Sequence, residues 1–381
     1  MVTKDKTSPV AKLEDLQPSP VLPKTVTAGL SVRWRPIEDL LISVGPKAQL
    51  IFVLCSAIFI AAAISHFAAA WLGLPRPVAT YRRIGPENGP QVFCAGSSVV
   101  QFGLSWPEIS ETLGQGIESW GLGGSTPTEW EETQSLATNT NLMIIGVSLH
   151  DLNEHFLCDS HANVVPITQT IRDLWQSKAD WQFSKRVLTQ YPLAYLRILF
   201  PTTGKSDAVL VGLRRKLREL AGLSPSAEDK GNFLVLPSKP ILDFGASTER
   251  LSDWPADKAL RRLDLLRSEI HGLHWFHGPK HLAFLRMLDR AQQRGGVIVV
   301  VAPVAPMYVH KFVTPDVLRS FENALAEGQR AAPQALFVRL DQLPALNSDE
   351  YYSDFVHLNG AGRQIATAAF LEELRRDFRR P

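Results

Sequence analysis

A long run without a charged side chain constrains this chain more than any other feature. Leu50–Leu72 reads LIFVLCSAIFIAAAISHFAAAWL and contains no Lys, Arg, Asp or Glu. A helix that spans a bilayer needs about 20 consecutive apolar residues, and Trp71 at one end of the run fits an interfacial anchor. We therefore predict a transmembrane anchor over residues 48–73.

Two other interpretations of the run compete with an anchor. The triplet Ala68–Ala70 could be the cleavage site of a signal peptide, and a soluble protein can bury an apolar helix. A signal peptide begins with a short charged segment, whereas here a long segment precedes the run. The positive-inside rule does not orient the anchor, because each side carries three nearby basic residues: Arg33, Arg35 and Lys47 before it, Arg76, Arg82 and Arg83 after it.

Composition separates the remaining segments. Residues 1–47 are rich in Lys, Pro, Thr and Ser, which predicts a mostly disordered tail. Residues 74–90 carry several Pro and Gly and predict a linker. Residues 91–381 remain for a globular domain. The formal net charge of +2 gives no indication of nucleic-acid binding, and three cysteines do not indicate a disulfide framework.

The globular segment alternates short apolar runs with helical patterns. Such alternation predicts an α/β fold with a parallel sheet covered by helices on both faces. Capping residues predict helices after Ser105 and Thr126, and a last helix from Asn359 to about Arg376. Five runs predict strands: Gln91–Ala95, Ile117–Trp120, Leu142–Val147, Val297–Ala302 and Leu336–Leu340.

A helical insertion of about residues 160–290 separates the third and fourth predicted strands. Within it, Tyr191–Phe200 is aromatic and apolar, and a basic stretch follows at Arg214–Arg218. Such a pair of segments can lie on a membrane surface or contact a membrane partner. An ordinary helical subdomain with a solvated charged face has the same pattern, and we favour it because the pattern does not show which face is exposed.

Polar motifs follow each predicted strand. The carboxyl ends of parallel strands form one edge of a sheet, and sites form there, so we expect these motifs to gather. They are Gly96-Ser97-Ser98, Gly121–Thr126, Ser148–Asp151, Pro303–Pro306 and Asp354–His357.

Ser98, His357 and Asp354 together can form a catalytic triad. A serine hydroxyl becomes nucleophilic when an imidazole takes its proton, and a carboxylate fixes the tautomer of that imidazole. Each motif alone has an ordinary explanation, since Gly-Ser-Ser is a common turn and Asp-x-x-His can be a surface cap. Their order along the predicted strands favours the triad, with Ser97 as the alternative nucleophile.

These blocks resemble the SGNH (GDSL-like) hydrolase superfamily over residues 91–158 and 297–376. Gly96–Val99 matches the nucleophile block, with Ser97 where Asp is usual, and Asp354–His357 matches the last block. The resemblance implies a flavodoxin-like three-layer α/β/α sandwich. It also implies that Gly124, at the end of the glycine block, stands at the oxyanion position.

The Asn block of the superfamily is matched poorly. Alignment of Ile144–Asp151 with the usual pattern places His150 where an asparagine should donate a hydrogen bond, and Asn153 lies close by. The expected oxyanion hole therefore consists of the backbone N–H groups of Ser98 and Gly124, plus the side chain of His150 or Asn153. Loss of one such donor can cost about 3–4 kcal/mol in the transition state.

Membrane-anchored relatives act in polysaccharide O-acetylation and teichoic acid D-alanylation. The resemblance therefore implies serine-dependent acyl transfer to a cell-surface or secreted polysaccharide, without a cofactor. It implies an inner-membrane protein with its tail in the cytoplasm and its catalytic domain outside, beside a multi-span membrane O-acyltransferase. Two alternatives remain: a carbohydrate or lipid esterase of the same fold, and a non-catalytic subunit of an acylation or export complex.

Two histidine groups raise the question of a metal. His150 and His155 are five residues apart, so on a helix they would point in different directions. The other group, spaced by three or four residues, is interrupted by Gly278-Pro279; it comprises His271, His274, His277 and His281. We therefore expect no metal site.

Overall fold

The computed structural model describes residues 46–72, 92–119, 124–135, 140–158, 161–200, 202, 206–222 and 247–378. The predicted linker and almost all of the predicted tail lie outside these ranges. By its internal contacts the chain divides into two compact units, Met1–Phe59 and Ile60–Pro381. Of the first unit, the structure describes only the start of an apolar helix.

That helix, α1 (Pro46–Leu72), begins two residues before the predicted anchor and includes all of it except residue 73, which lies outside the described ranges. Its stretch Ala48–Leu72 is long and apolar enough to cross a membrane, and only 6% of the most apolar window is buried. A core helix of a soluble domain would be mostly buried. The exposure of α1 therefore argues against the soluble-helix interpretation.

Five parallel strands form one sheet, in the order β2-β1-β3-β4-β5. This is the order of flavodoxin-like sheets, and the predicted parallel α/β sheet is confirmed. Every predicted strand bound lies within one residue of the observed bound. Leu340 begins a 3₁₀ turn, and Gln91 and Trp120 lie outside the described residues. The strands are β1 (Val92–Ala95), β2 (Ile117–Ser119), β3 (Leu142–Ser148), β4 (Gly296–Ala302) and β5 (Leu336–Arg339).

Besides α1, the described residues form fourteen α-helices. In chain order these are α2 (Ser98–Gly103), α3 (Trp106–Leu113), α4 (Pro127–Gln134), α5 (Leu149–Leu152), α6 (His161–Val164), α7 (Ile167–Gln176), α8 (Trp181–Leu188), α9 (Gln190–Leu199), α10 (Ser206–Leu220), α11 (Ala256–Glu269), α12 (Pro279–Arg294), α13 (Pro306–Phe312), α14 (Pro315–Ala331) and α15 (Gly360–Phe378).

The helices that pack on the sheet fall into two groups. Helices α2 and α3 both contact α15, and α4 and α14 both contact α12. The strand order explains the division. The chain steps from β1 to β2 in one direction and returns past β1 to β3, so right-handed crossovers place the connecting helices on opposite faces. The core lies between these helices and the apolar strands, with Phe93, Ile145 and Val300 fully buried.

Two of the three predicted helix caps are present. Thr126 and Glu129 form a capping box, and the Asn359 side-chain oxygen accepts the N–H groups of Ala361 and Gly362. The predicted Ser105 cap was wrong, because its side chain makes no cap hydrogen bond.

The insertion between β3 and β4 is helical, as predicted, but its boundary differs. Helices α6 to α11 belong to it, with a small apolar cluster around Leu174, Phe183 and Val187. Helix α12 instead packs against β3, β4, α4 and α14. It is therefore the crossover helix of the sheet, and the insertion ends before Pro279 rather than near residue 290.

Candidate active site

Ser98 lies at the junction of the first strand and the first sheet-packing helix. Strand β1 ends at Ala95, and the Ser97 hydroxyl accepts the backbone N–H of Val99 at 3.1 Å, which caps α2. Ser97 is buried, whereas Ser98, the first helical residue, is half-buried. Of the two candidate nucleophiles, Ser98 is thus the one whose side chain reaches the surface.

The structure brings Ser98, His357 and Asp354 into one hydrogen-bonded line. Ser98 Oγ lies 2.8 Å from His357 Nε2, and His357 Nδ1 lies 2.8 Å from Asp354 Oδ2. An ionised carboxylate only accepts hydrogen bonds, so Nδ1 carries the proton and Nε2 accepts the Ser98 O–H. The imidazole is therefore in the tautomer that a general base for Ser98 requires.

Backbone contacts hold His357 at the carboxyl edge of the sheet. The N–H of Ser353 donates to the carbonyl of His357 at 2.9 Å and closes the loop. The N–H of Ala305, just beyond β4, donates to the carbonyl of Phe355 at 3.0 Å. Because Phe355 is fully buried, the loop is anchored on both sides of Asp354.

Asp354 is the most acidic group of this line. Burial alone would raise its pKa, but the hydrogen bond and charge of His357 and two backbone donors outweigh burial and lower the pKa to about 2. Those donors are the N–H groups of Val356 and His357, each 2.9 Å from Asp354 Oδ1. Asp354 is therefore an ionised, oriented acceptor at any ordinary pH.

The backbone N–H groups of Ser98 and Gly124 are the candidate backbone donors for an oxyanion. The first N–H groups of a helix have no partner within the helix, and Ser98 occupies that position in α2. Gly124 has a φ of +74°, a left-handed conformation that favours glycine. A Cβ at this position would meet nothing within 4 Å, so glycine is needed for conformation and not for space.

The two candidate side-chain donors differ in their surroundings. His150 is buried, and its Nδ1 has no hydrogen-bond partner among the described residues. Its ring lies 4.1 Å from that of Phe156. Burial, with the nearby charges of Lys280 and His357, lowers the pKa of His150 to about 3. A neutral imidazole retains one N–H that can donate.

Asn153 makes its hydrogen bonds to residues away from Ser98. Its amide nitrogen donates to the carbonyl of Leu273 at 3.1 Å, and its side-chain oxygen accepts the N–H groups of His155 and Trp275, both at 3.2 Å. These bonds fasten the segment after α5 to residues 273–275. Asn153 therefore has a structural role, and His150 remains the side-chain candidate for the oxyanion hole.

A buried carboxyl, Asp151, lies behind the nucleophile loop. Burial raises its pKa to about 6, although hydrogen bonds with Ser97 and Ser148 lower it. The Ser148 hydroxyl donates to Asp151 Oδ2 at 2.8 Å. The sequence analysis gave Asp151 only as the last residue of the polar motif that follows the third predicted strand. Its contact with the neighbour of Ser98 depends on how β1 and β3 pair, which no local motif encodes.

Lys280 and Glu154 fix the segment that carries His150. Lys280 Nζ donates to the carbonyls of Asp151, Asn153 and Phe156. Glu154 accepts three backbone N–H groups where α12 begins, including that of Gly278 at 2.9 Å. Burial lowers the pKa of Lys280 to about 8 and raises that of Glu154 to about 7. Sequence analysis missed both residues.

A second network of buried polar side chains begins in α4 and reaches the helical insertion. His161 Nδ1 lies 2.7 Å from Glu129, and His161 Nε2 lies 3.1 Å from the Thr170 hydroxyl. Thr170 in turn contacts the Tyr191 hydroxyl at 2.5 Å. Although burial raises it, the pKa of Glu129 is held below its usual value by His161 and Thr126. These contacts link α4, α6, α7 and α9.

One group in the described part of the chain has the composition of a metal site. His277, His281 and Glu327 offer ligand atoms within 4.8 Å of one another. The His281 Nε2 atom already contacts the carbonyl of Ala324 at 3.3 Å, and Glu327 lies 3.5 Å away. The group lies between α12 and α14. It includes none of the residues that contact Ser98, His357 or Asp354.

Comparisons with known proteins add little. No protein-family model and no curated protein matches the chain. A solved structure of a Streptococcus pneumonia protein, assigned provisionally as a platelet activating factor, matches 82% of this chain and 99% of its own. The two chains are 13% identical, and the TM-score is 0.35.

Proposed function

We propose that this chain is a membrane-anchored serine acyl-transfer enzyme of the SGNH type. The hydrogen-bonded line from Ser98 through His357 to Asp354 carries the proposal. It has the order, the tautomer and the spacing that nucleophilic catalysis by serine needs. The position of all three groups at the carboxyl edge of a parallel sheet adds support.

The proposed reaction has two half-reactions. Ser98 Oγ attacks the carbonyl carbon of an acyl donor while His357 Nε2 takes the hydroxyl proton. The negative oxygen of the tetrahedral intermediate accepts hydrogen bonds from the N–H groups of Ser98 and Gly124 and from His150. The donor's C–O or C–S bond then breaks, and His357 gives its proton to the leaving group.

The acyl group now forms an ester with Ser98. An acceptor hydroxyl attacks this ester, His357 takes the acceptor's proton, and collapse returns the electron pair and proton to Ser98. Asp354 stabilises the imidazolium in both half-reactions. If the acceptor is water, the enzyme is an esterase. If it is a sugar hydroxyl, the enzyme is an O-acyltransferase.

We favour a polysaccharide hydroxyl as the acceptor. The side chains of His357 and Asp354 are each 23% exposed, and a shallow site of this kind admits a polymer chain. The anchor helix supports a site close to a membrane, and the resemblance to polysaccharide O-acetylation and teichoic acid D-alanylation proteins supports an acceptor outside the cytoplasmic membrane. A multi-span membrane O-acyltransferase is the proposed partner and acyl source.

A serine-directed phosphonate probe tests the nucleophile on the full-length protein in detergent. We expect one labelled peptide that contains Ser98, with labelling lost in Ser98→Ala and His357→Ala. Ser97→Ala is the matched control and should still label. Labelling at Ser97, or none at all in a folded protein, would contradict the proposal.

Acceptor assays then separate the alternatives. The wild-type protein is incubated with an acetyl ester, with and without an oligosaccharide, and both free acetate and acetylated sugar are measured. A transferase makes acetylated sugar at the expense of acetate, whereas an esterase makes acetate alone. Unchanged polysaccharide acylation in cells that carry Ser98→Ala would favour the non-catalytic subunit.

A further inference from the structure

Helices α9 and α10 expose an unusual amount of apolar surface. The exposed leucines of α10 recur every three or four residues, at Leu210, Leu213, Leu217 and Leu220, which places them on one face. Soluble proteins rarely expose apolar patches of this extent. The exposed side chains of α9 after Tyr191 are Pro192, Leu193, Tyr195, Leu196, Ile198 and Leu199, none of them charged.

Helix α10 packs against the last turns of the apolar helix α1. Ala69 and Leu72 are buried against Val209. The Arg215 guanidinium donates to the carbonyl of Leu72 at 2.6 Å. A Cβ on Gly212 would lie 3.2 Å from the Cβ of Leu72, so the absence of a side chain permits this close approach.

A further contact places the connection between α9 and α10 beside a position nearer the middle of α1. The Ser65 hydroxyl lies 2.9 Å from the hydroxyl of Thr202, which follows α9 closely in the chain. Ser65 precedes Leu72 by seven residues, or about 10 Å along a helix. Hydroxyl pairs of this kind are common where helices pack inside a bilayer. Residue 202 therefore lies level with the apolar interior of α1.

Charge along α10 changes in the direction that a membrane would require. From Ser206 to Leu213 the only charged residue is Asp207, whereas residues 214–219 read Arg-Arg-Lys-Leu-Arg-Glu. Arg215 of this basic group contacts the very end of α1. The basic residues thus lie at the level where headgroups begin, and long basic side chains favour that position.

We propose that α9 and α10 enter the same lipid leaflet as the C-terminal part of α1, with acyl chains against their exposed apolar residues and anionic headgroups near Arg214 and Arg218. Interfacial helices of this kind bury their apolar faces about 5–10 Å deep. Lipid fits better than a partner helix because the apolar residues of α9 cover a broad arc, with only Tyr191 and Ala194 buried. The proposal is independent of the chemistry at Ser98.

Spin labels on the full-length protein in phosphatidylcholine–phosphatidylglycerol vesicles test this insertion. In a Cys55→Ser background, single cysteines replace Leu193, Leu199, Leu210 and Leu217, and collisions with oxygen and with a water-soluble nickel chelate are measured. A label at Phe67→Cys in α1 is the control for a position that faces lipid. Leu265→Cys in α11 and Leu318→Cys in α14 report water and are similarly exposed, at 48% and 46%.

Insertion predicts oxygen-to-nickel collision ratios several-fold above those of the two controls, with a depth gradient. The label at 199 should be deeper than that at 193, and the label at 210 deeper than that at 217, because depth increases toward Thr202. Ratios equal to those at 265 and 318 would overturn the proposal. Dipolar broadening between labels at position 199 would also overturn it, because it indicates that a second copy of the chain covers this helix. So would a high oxygen-to-nickel ratio found only in native membranes, because it indicates a protein partner.

Discussion

Val100 of α2 occupies the space that a side chain on Gly146 of β3 would need. A Cβ on Gly146 would lie 2.4 Å from both γ-methyl groups of Val100. This contact sets how closely α2 approaches the sheet, and Ser98 is the first residue of α2. The glycine therefore determines the position of the nucleophile although it touches none of the reacting groups.

Gly146→Ala should lower the free energy of unfolding by about 1–3 kcal/mol, as overpacking of a core does, and should reduce kcat by displacing Ser98. Adding Val100→Ala should remove much of the effect of the alanine at 146, since the clashing methyl groups are then absent. Urea denaturation and esterase kinetics measure both. Gly116→Ala is the control, since a Cβ there meets nothing within 4 Å. Additive effects of the two substitutions would contradict this account.

Asp354→Asn should lower kcat on the order of 10³-fold or more, because an amide no longer fixes the His357 tautomer. The effect of this substitution on the free energy of unfolding should be smaller than its effect on the activation free energy. The folded pKa of about 2 lies below the ordinary value of 3.8, so Asp354 stabilises the fold above pH 4 and loses this effect as pH falls toward 2. We expect a loss of up to about 2 kcal/mol at pH 7. Calorimetry and pre-steady-state kinetics separate the two effects.

Asp151→Asn should have the opposite effect on stability. The folded pKa of about 6 lies above the ordinary 3.8, so the folded state holds an extra proton between these values and loses stability as pH rises through them. The amide cannot ionise and should stabilise the protein at pH 8 on the order of 2 kcal/mol, with little change at pH 4. Thermal unfolding at both pH values measures this. Asp316→Asn, at an exposed site, is the control and should leave the stability unchanged at both pH values. Equal effects of Asp151→Asn at pH 4 and pH 8 would count against ionisation of Asp151 as the cause.

Lys280→Met should be strongly destabilising, by about 3–5 kcal/mol, because several buried acceptors lose one donor at once and Glu154 loses the nearby positive charge that lowers its pKa. The acceptors are the carbonyls of Asp151, Asn153 and Phe156. Lys311→Met, which removes an exposed lysine, should change the free energy of unfolding by less than about 0.5 kcal/mol. A loss of similar size in both variants, measured by urea denaturation, would rule out a special role for Lys280.

The parts of the site that could be predicted are those encoded by strand ends. Ser98 follows β1 and His357 follows β5, and parallel strands bring such positions to one edge whatever the length between them. The pattern of alternating elements was enough to predict this edge. It was also enough to predict α1, because length and absence of charge are local properties.

The parts that could not be predicted depend on packing between distant elements. Lys280 is the second residue of the amphipathic helix α12, and only the fold shows its Nζ among three carbonyls of the segment after β3. Ser105 caps its helix with no side-chain bond, and its backbone N–H donates to the hydroxyl of Thr367, 262 positions away, instead of to a side chain of its own helix. The pattern of α9 and α10 favoured a solvated subdomain until their contacts with Ser65 and Leu72 became visible.

The separation of Ser98 and His357 by 259 positions has a consequence for biosynthesis. A growing polypeptide carries its serine long before the ribosome has added the imidazole that activates it. Under the proposed function, the order of the chain alone therefore keeps this hydroxyl unreactive throughout translation of the intervening residues.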